Sequence, residues 1–341
     1  MKVSNKKFIV HMICLFIFLL ATIPLCALWG TADISYSDTV EFLVDKCIPG
    51  LYYTGPDYME SIIWQLRIPR ILLGLAVGGG LSVSGVLMQA LTQNMLADPY
   101  ILGVSSGASS AAVFVIAFGS GTWLGNLGIS GAAFLGSFIS LFMVYALSVS
   151  GGKSSTSRLL LSGVAVSMIL NALTQFLIMM APSGSTKNAI YWMMGSLAGA
   201  RWSNVLIPCL VSIIGLGVAF IISSILNVIS LGDDTAITMG INANSFRKFL
   251  LILVSILTGV VVSASGCVGF VGLMIPHIAR MCYGSNHKRV VIASFLIGGI
   301  FLTWMDVLAR TILAPAEISI GILTAFCGGP FFIWLLRRKN R

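Results

Sequence analysis

Long apolar runs separated by short polar connections make up most of the chain. A helix needs roughly 20 apolar residues to cross the hydrocarbon core of a bilayer. The first run, 8–29, exceeds the hydrophobic core of about 7–15 residues typical of a signal peptide, so we expect it to be a crossing. The pattern predicts an all-α polytopic membrane protein with ten transmembrane helices at 8–29, 71–92, 100–118, 127–148, 158–180, 203–226, 247–266, 268–283, 290–310 and 318–336.

Small residues form two stripes on the second predicted crossing. Gly74, Gly78 and Ser82 recur every fourth residue, and Gly80 and Ser84 repeat this spacing on a neighbouring stripe. Lipid supplies no hydrophobic driving force between helices, so small residues at this spacing serve to let two backbones approach closely. We therefore predict that this helix lies inside a bundle.

The far end of the same helix carries polar side chains. Gln89 and Gln93 lie four residues apart, just before a predicted sharp turn at Asp98-Pro99. A turn at membrane depth frees backbone groups that need partners. We expect the two amides to bond to this neighbouring backbone.

The polar connections are short, and the chain forms a single transmembrane domain over residues 1–341. The longest, 31–66, is predicted to be external, and within it Ser37 or Asp38 can cap a short helix that ends near Val44. The second notable connection, 227–248, is predicted to be cytoplasmic.

The charges fix the orientation. Charged residues make up 9% of the chain, against roughly 25% in soluble domains, and mean hydropathy is +0.98. The net charge of +9 comes from residues at the ends of apolar runs, which favours a topology signal over nucleic-acid binding. Both termini are predicted to be cytoplasmic, which places fourteen of the 20 Lys and Arg inside: Lys2, Lys6, Lys7, Lys153, Arg158, Arg247, Lys248, Arg280, Lys288, Arg289, Arg337, Arg338, Lys339 and Arg341.

Metal-binding patterns are missing from the sequence. The seven cysteines show no C-x-x-C spacing, and the three histidines show no H-x-x-x-H spacing. The residues therefore predict neither a disulfide framework nor a metal site. If iron crosses, we expect it to cross inside a chelate.

Two blocks of motifs resemble the FecCD family, the permease subunits of bacterial ABC importers for iron-siderophores, haem and cobalamin. The first block reads Arg67-Ile-Pro69-Arg70, Ser84-Gly85 to Gln89, and Asn94-Met95-Leu96-Ala97-Asp98-Pro99 to Gly103, with Met95 in place of the family's proline. The second reads Gly269-Phe-Val-Gly272-Leu-Met-Ile-Pro276-His277-Ile-Ala-Arg280, then Asp306-x-x-x-Arg310, Glu317 and Gly321, with Ser319 where the family usually has proline.

The resemblance implies a BtuC-like type II ABC importer fold. The turn at Asp98-Pro99 and the glycine-rich break at 266–272 lie five helices apart, as in an inverted repeat. The expected partners are a second permease subunit, as a second copy or a paralogue, two ATP-binding subunits and an extracytoplasmic substrate-binding protein. The chain itself is expected to be non-catalytic and to bind no cofactor, in the bacterial cytoplasmic membrane.

The resemblance also assigns roles to particular residues. It implies that Arg67, Arg70 and Arg310 dock the binding protein, although a solvated loop charge is the usual explanation for a lone arginine. It also implies that the segment 227–248 contains a coupling helix that contacts the ATPase, with a plain linker between crossings as the alternative. The residues assigned to this coupling helix are Gly232, Asp233, Asp234, Ala236 and Gly240. From the residues, the three at 232, 236 and 240 give one smooth helix face, and Asp233, Asp234 and Thr235 supply caps.

Polar residues inside predicted crossings are candidates for the translocation path: Ser162, Asn171, Gln175 and Gln89. Such residues face a bundle interior or a water-filled path, and interhelical bonding fits as well as lining does. Asn94, Pro99, Pro276, His277, Asp306 and Glu317 are predicted to be structural. His277 is expected to be packed and hydrogen-bonded, and Asp306 is expected to pair with Arg310.

Two other classes of function are weighed against an importer permease. An ion-coupled secondary transporter generally uses buried carboxylates, yet only Asp306 lies within a predicted crossing, with Arg310 beside it. An intramembrane enzyme needs converging catalytic pairs, which the sequence does not offer. Among family cargoes, iron-siderophore is preferred because it is the commonest, with haem and cobalamin as alternatives.

Overall fold

The computed structural model describes residues 4–30, 34–47, 56, 58–119, 125–150, 153–154 and 156–339. The described chain is helical, apart from one short antiparallel pair, β1 (Val149–Ser150) with β2 (Lys153–Ser154). The helices are α1 (Asn5–Leu28), α2 (Tyr36–Cys47), α3 (Ile68–Leu91), α4 (Val104–Phe118), α5 (Gly125–Ser148), α6 (Thr156–Met180), α7 (Ser183–Met193), α8 (Trp202–Ile221), α9 (Ser223–Ile229), α10 (Asp233–Thr238), α11 (Ala243–Ser265), α12 (Val271–Tyr283), α13 (His287–Thr311) and α14 (Ile320–Lys339).

The membrane-spanning helices confirm the all-α polytopic fold. In the described ranges, eight helices are long and apolar enough to cross a membrane: α1, Glu60–Leu91, and parts or all of α5, α6, α8, α11, α13 and α14. The other two predicted crossings correspond to α4 and α12, which have 15 and 13 residues. At 1.5 Å per residue they fall short of the roughly 30 Å core, because part of each crossing is taken by an irregular break.

The second crossing begins earlier than the sequence analysis predicts. A π-helical segment, Glu60–Arg67, continues directly into α3, so the helical span starts at Glu60 instead of residue 71. Of the external connection 31–66, the structure describes the predicted short helix as α2, while 31–33, 48–55 and 57 lie outside the described residues. The helix α7 was not predicted.

Helix α3 lies at the centre of the bundle, and almost all of its residues are buried. Its first small-residue stripe faces α13: a Cβ at Gly78 would lie 2.1 Å from the carbonyl oxygen of Gly298. Its second stripe faces α11 and α8, where Thr258 donates a hydrogen bond of 3.1 Å to Ser84. Both stripes are therefore helix contacts, as predicted.

Two breaks in the helices meet inside the bundle. The first follows α3 and ends at Gly103 (φ 75°), and the second follows α11 and ends at Phe270 (φ 68°). The Tyr100 hydroxyl joins them, since it donates to the Val268 carbonyl at 3.0 Å and accepts from the Val268 N–H at 3.1 Å.

The neighbours of α3 and α11 correspond in the two halves. Helix α3 packs on α12 and α13, and α11, the crossing five places after α3, packs on α4 and α5, the crossings five places before α12 and α13. This is the contact pattern that an inverted repeat predicts.

Candidate functional site

A cluster of charged side chains, here called the outer cluster, lies at the start of α3 and the end of α13, which the sequence predicts to be external. The Arg70 guanidinium donates to Asp306 from Nε and Nη2 at 2.9 Å. It also donates to Glu317 from Nη1 and Nη2, again at 2.9 Å. A guanidinium that bonds two carboxylates in this forked geometry is held in one orientation.

The other two arginines of this outer cluster are buried against the end of α1. Arg67 donates to the Ala27 carbonyl at 2.6 Å, and Arg310 donates to the Cys26 carbonyl at 3.0 Å. The last carbonyls of a helix have no partner within it and carry its negative dipole end, which suits a cation. The side chains of Arg67 and Arg310 are consequently only 4% and 3% exposed.

This arrangement differs from what docking arginines at a free surface would show. All three guanidiniums bond within the chain in this conformation, because α1 and the two carboxylates supply acceptors. The predicted pair of Asp306 and Arg310 is present at 3.7 Å, but Arg70 is the closer partner of Asp306. Binding-protein docking at Arg67, Arg70 and Arg310 stays a prediction.

The segment 227–248, which the sequence predicts to be cytoplasmic, folds differently from the predicted smooth-faced helix. Helix α10 has six residues, and Gly232 (φ 121°) and Gly240 (φ 79°) lie outside it in backbone conformations that favour glycine. Gly232 itself occupies the N-cap position, so the cap residue is not Asp234 or Thr235, while the side chain of Asp233 lies outside the described part of the structure. Ala236 is fully buried against the chain's own helices.

The exposed side chains of this segment are apolar ones that the sequence analysis missed. Leu231, Ile237 and Met239 are exposed around α10, as is Asp234. Their alternation with glycine and polar residues gave no helical period, which is why only the fold reveals them. They form an apolar patch on a short connection, the kind of surface that marks a protein contact.

Helix α6 presents most of one face to the outside of the chain. Asn171 and Gln175 are exposed on it, together with Leu161 and Met168. Among the described residues neither amide has a partner, whereas Ser162 is half-buried. Unpaired amides are costly in lipid, so we expect protein or water to lie against this face of α6.

Gln89 does not lie on such a face. It is buried, accepts from Arg280 and donates to the Leu273 carbonyl at 3.3 Å, while Gln93 donates to the Ile229 carbonyl at 3.2 Å. Both amides therefore bond to backbone, but to carbonyls at Leu273 and Ile229 and not to the backbone freed by the turn at Asp98-Pro99, so that part of the prediction is wrong. The assignment of Gln89 to a translocation path is corrected by this contact, because its amide is used between helices.

The first break is stabilised from within its own motif. Asn94 accepts from the Leu96 N–H at 2.9 Å, and Asp98 accepts from the Tyr100 N–H at 2.8 Å ahead of the buried Pro99.

The second motif block packs around α12. Pro276 is buried inside that helix, and the His277 ring meets Phe331 edge to face with centroids 6.0 Å apart. The His277 Nδ1 atom is buried without a hydrogen-bond partner among the described residues. His277 is thus packed as predicted, but the expected hydrogen bond at Nδ1 is not formed. Within the described ranges, no group of three His, Cys, Asp or Glu side chains is arranged to hold a metal ion.

Comparison with known proteins identifies the arrangement. The profile of the FecCD transport family matches residues 15–338. The chain belongs to the FecCD transport family. It is a multi-pass membrane permease of a metal-chelate type ABC importer.

Relatives in the FecCD family carry different cargoes in their names. The Fe(3+)-citrate import system permease protein YfmD of Bacillus subtilis is 38% identical, over 98% of this chain and 96% of that one. The cobalamin import system permease protein BtuC of Halobacterium salinarum is 38% identical over 92% and 80%. The hemin transport system permease protein HmuU of Yersinia pestis is 36% identical over 83% and 85%.

A solved FecCD-like structure has the same architecture. It is an inward-facing structure assigned to the metal-chelate type of ABC transporter, with a TM-score of 0.83 and 29% identity. The match covers 96% of this chain and 99% of the other. The fold described above therefore extends over essentially the whole of that protein.

Proposed function

We propose that this permease carries an iron(III) chelate of the citrate or siderophore class. The observation that carries the proposal is the end-to-end correspondence with YfmD, over 98% of this chain and 96% of that one. The relatives named for cobalamin and haem correspond over smaller shares. The described chain offers no three-ligand metal group, which fits a cargo whose iron stays within its chelator.

The exposed face of α6 is proposed to meet a second permease subunit, either another copy or a paralogue, with the translocation path between them. Asn171 and Gln175 support this role because their unpaired amides would be costly against lipid. A photo-crosslinking residue at Met168 should then capture the second subunit. The same residue at Ile207, on the exposed face of α8, is the matched control and should capture none.

The segment around α10 is proposed to contact one of two separate ATP-binding subunits. The exposed patch of Leu231, Ile237 and Met239 would supply the apolar contact, and the buried Ala236 would attach the patch to α9 and α11. ATP hydrolysis then belongs to those subunits, and this chain transmits the resulting movement.

The outer arginine cluster is proposed to receive an extracytoplasmic binding protein. Carboxylates of that protein would compete with Glu317, the more exposed of the two internal partners of Arg70. Charge attraction also raises the rate of encounter between partners. In the proposed orientation both termini lie in the cytoplasm, and the protein resides in the bacterial cytoplasmic membrane.

The outer arginine cluster gives less support to an ion-coupled secondary transporter than to an importer permease. A proton-coupled carrier needs a carboxylate that can gain and lose its charge. Asp306 is already paired within the chain, with Arg70 at 2.9 Å and Arg310 at 3.7 Å.

The cargo is tested by uptake in cells that lack this chain. Radioactive iron is supplied as ferric citrate, as a ferric hydroxamate and as a ferric catecholate, with labelled haem and cobalamin as the other arms. Loss of one ferric-chelate uptake, restored by the gene, with haem and cobalamin uptake unchanged, is the expected result. Loss of haem or cobalamin uptake instead would overturn the cargo and leave the permease role intact.

A further inference from the structure

An apolar groove of about 730 Å³ runs along the inner side of α1. Its walls are α1, α3, α8 and α13, and it extends from Phe8 through Met12 and Phe16 to Ile23. Four turns of α1 therefore border it, a length comparable to half or more of the hydrocarbon core.

Helix α1 packs on α13 and is attached to the bundle at both ends. At its cytoplasmic end, the Phe8 ring packs edge to face on Tyr283 with centroids 5.5 Å apart. At its outer end, Cys26 and Ala27 are fully buried and accept hydrogen bonds from the arginines of the outer cluster. The groove is the space that these two attachments leave open.

Water is a poor occupant of this groove. Apolar cavities stay dry unless polar groups can bind the water. The one hydroxyl in the lining, on Ser212, already donates to the Ala76 carbonyl at 2.9 Å. In a chain that crosses the membrane, the fluid available at this depth is hydrocarbon.

Basic side chains flank the cytoplasmic end of the groove. Lys288 lies over the ring of Phe220 at 5.2 Å, one turn beyond the groove residue Leu216 on α8. Arg289 lies over the ring of Phe8, a groove residue on α1, also at 5.2 Å. The stretches 4–12, 213–222 and 284–296, which surround this end, contain no Asp or Glu.

We propose that the groove binds an anionic glycerophospholipid of the cytoplasmic leaflet, with one acyl chain along α1 and the phosphate against Lys288 and Arg289. Basic residues next to an apolar membrane surface are the usual recognition elements for anionic headgroups. The proposal requires only that the chain spans a membrane, so it stands apart from the identity of the cargo.

The acyl-chain part is tested with two neighbouring residues of α8. Ile213 and Ile214 are 59% and 61% exposed, but only Ile213 lines the groove. Delipidated full-length protein in mild detergent is given dioleoyl phosphatidylglycerol and examined by native mass spectrometry. Ile213→Trp should lose most of the retained lipid, and Ile214→Trp should retain it as the wild type does. Equal retention by the two variants would overturn the groove as the binding site.

The headgroup part is tested with two lysines in similar settings. Lys288 and Lys248 both lie over an aromatic ring on the cytoplasmic side, 5.2 Å from Phe220 and 5.9 Å from Tyr145. Lys288→Gln should lower phosphatidylglycerol retention about fivefold, since each basic contact with an anionic lipid has roughly this effect. Lys248→Gln should leave it unchanged.

Three results would contradict the headgroup assignment. The first is equal retention of phosphatidylcholine and phosphatidylglycerol by the wild type. The second is retention of free oleate in place of the phospholipid. The third is a single-span protein that accompanies the wild type and Ile214→Trp but not Ile213→Trp, which would make the occupant a protein helix.

Discussion

The Arg70 guanidinium lies 2.9 Å from the Asp306 carboxylate, a contact between residues 236 positions apart in sequence. Asp306 is 2% exposed and also lies 3.7 Å from Arg310. One buried carboxylate thus balances two arginines and joins the start of α3 and the end of α13 to the end of α1.

Asp306→Asn should destabilise the protein strongly. It leaves Arg310 buried without a counter-charge, and breaking a buried ion pair from one side costs about 3–5 kcal/mol. Glu317→Gln is the control, because that side chain is 32% exposed and such pairs contribute about 1 kcal/mol or less. Thermal unfolding in detergent compares the two, and equal midpoints would show that Asp306 does not hold the cluster.

Gly78→Ala should weaken the packing of α3 on α13. The new methyl group would lie 2.1 Å from the Gly298 carbonyl oxygen, and backbone cannot move aside as a side chain can. Overpacking of this kind costs about 1–3 kcal/mol. Gly217→Ala on α8 meets no atom within 4 Å and should be neutral. A Gly78→Ala protein that unfolds at the wild-type temperature would contradict the close contact.

Tyr100→Phe should loosen the second break without unfolding the bundle. The loss of the hydroxyl removes the partner of both the N–H and the carbonyl of Val268, at a cost of about 1–3 kcal/mol. Hydrogen–deuterium exchange of the peptide across 266–270 should therefore accelerate. Tyr191→Phe, on the exposed side of α7, serves as control, and unchanged exchange in Tyr100→Phe would refute the link between the breaks.

Ile237→Glu should separate the permease from its ATP-binding subunit. Ile237 is exposed on α10, so the fold should survive while the proposed apolar contact gains a charge. The measurement is the amount of ATP-binding subunit that accompanies the tagged permease. Thr238→Glu, also exposed and next in sequence, is the control, and equal recovery with both variants would place the contact elsewhere.

The sequence predicts the helices and their packing stripes because these depend on local spacing. The four-residue spacing of Gly74, Gly78 and Ser82 predicts a close helix contact, whichever helix lies on the other side. The glutamines before the first break likewise indicate backbone bonding. Motifs of the FecCD family indicate the positions of the two breaks in the helices.

The partners of the polar groups could not be predicted, because they come from distant parts of the chain. Nothing near Arg67 or Arg310 in sequence indicates that the carbonyls of Ala27 and Cys26 would bind them. Similarly, the spacing of Gly232, Ala236 and Gly240 suggested a helix face, but two of the three have φ values that end a helix. Gln89 could equally have faced a path or a neighbour until α12 was placed beside it.

The backbone contacts of α3 constrain how the permease can change shape. A Cβ at Gly78 would strike the Gly298 carbonyl and one at Gly85 would strike the Gly272 carbonyl, so α3 touches α13 and α12 main chain to main chain. Packed backbones resist sliding, because any shift in register drives a carbonyl into the opposing helix. We expect α3, α12 and α13 to move as one rigid body during transport, with bending confined to the more loosely packed helices at the periphery.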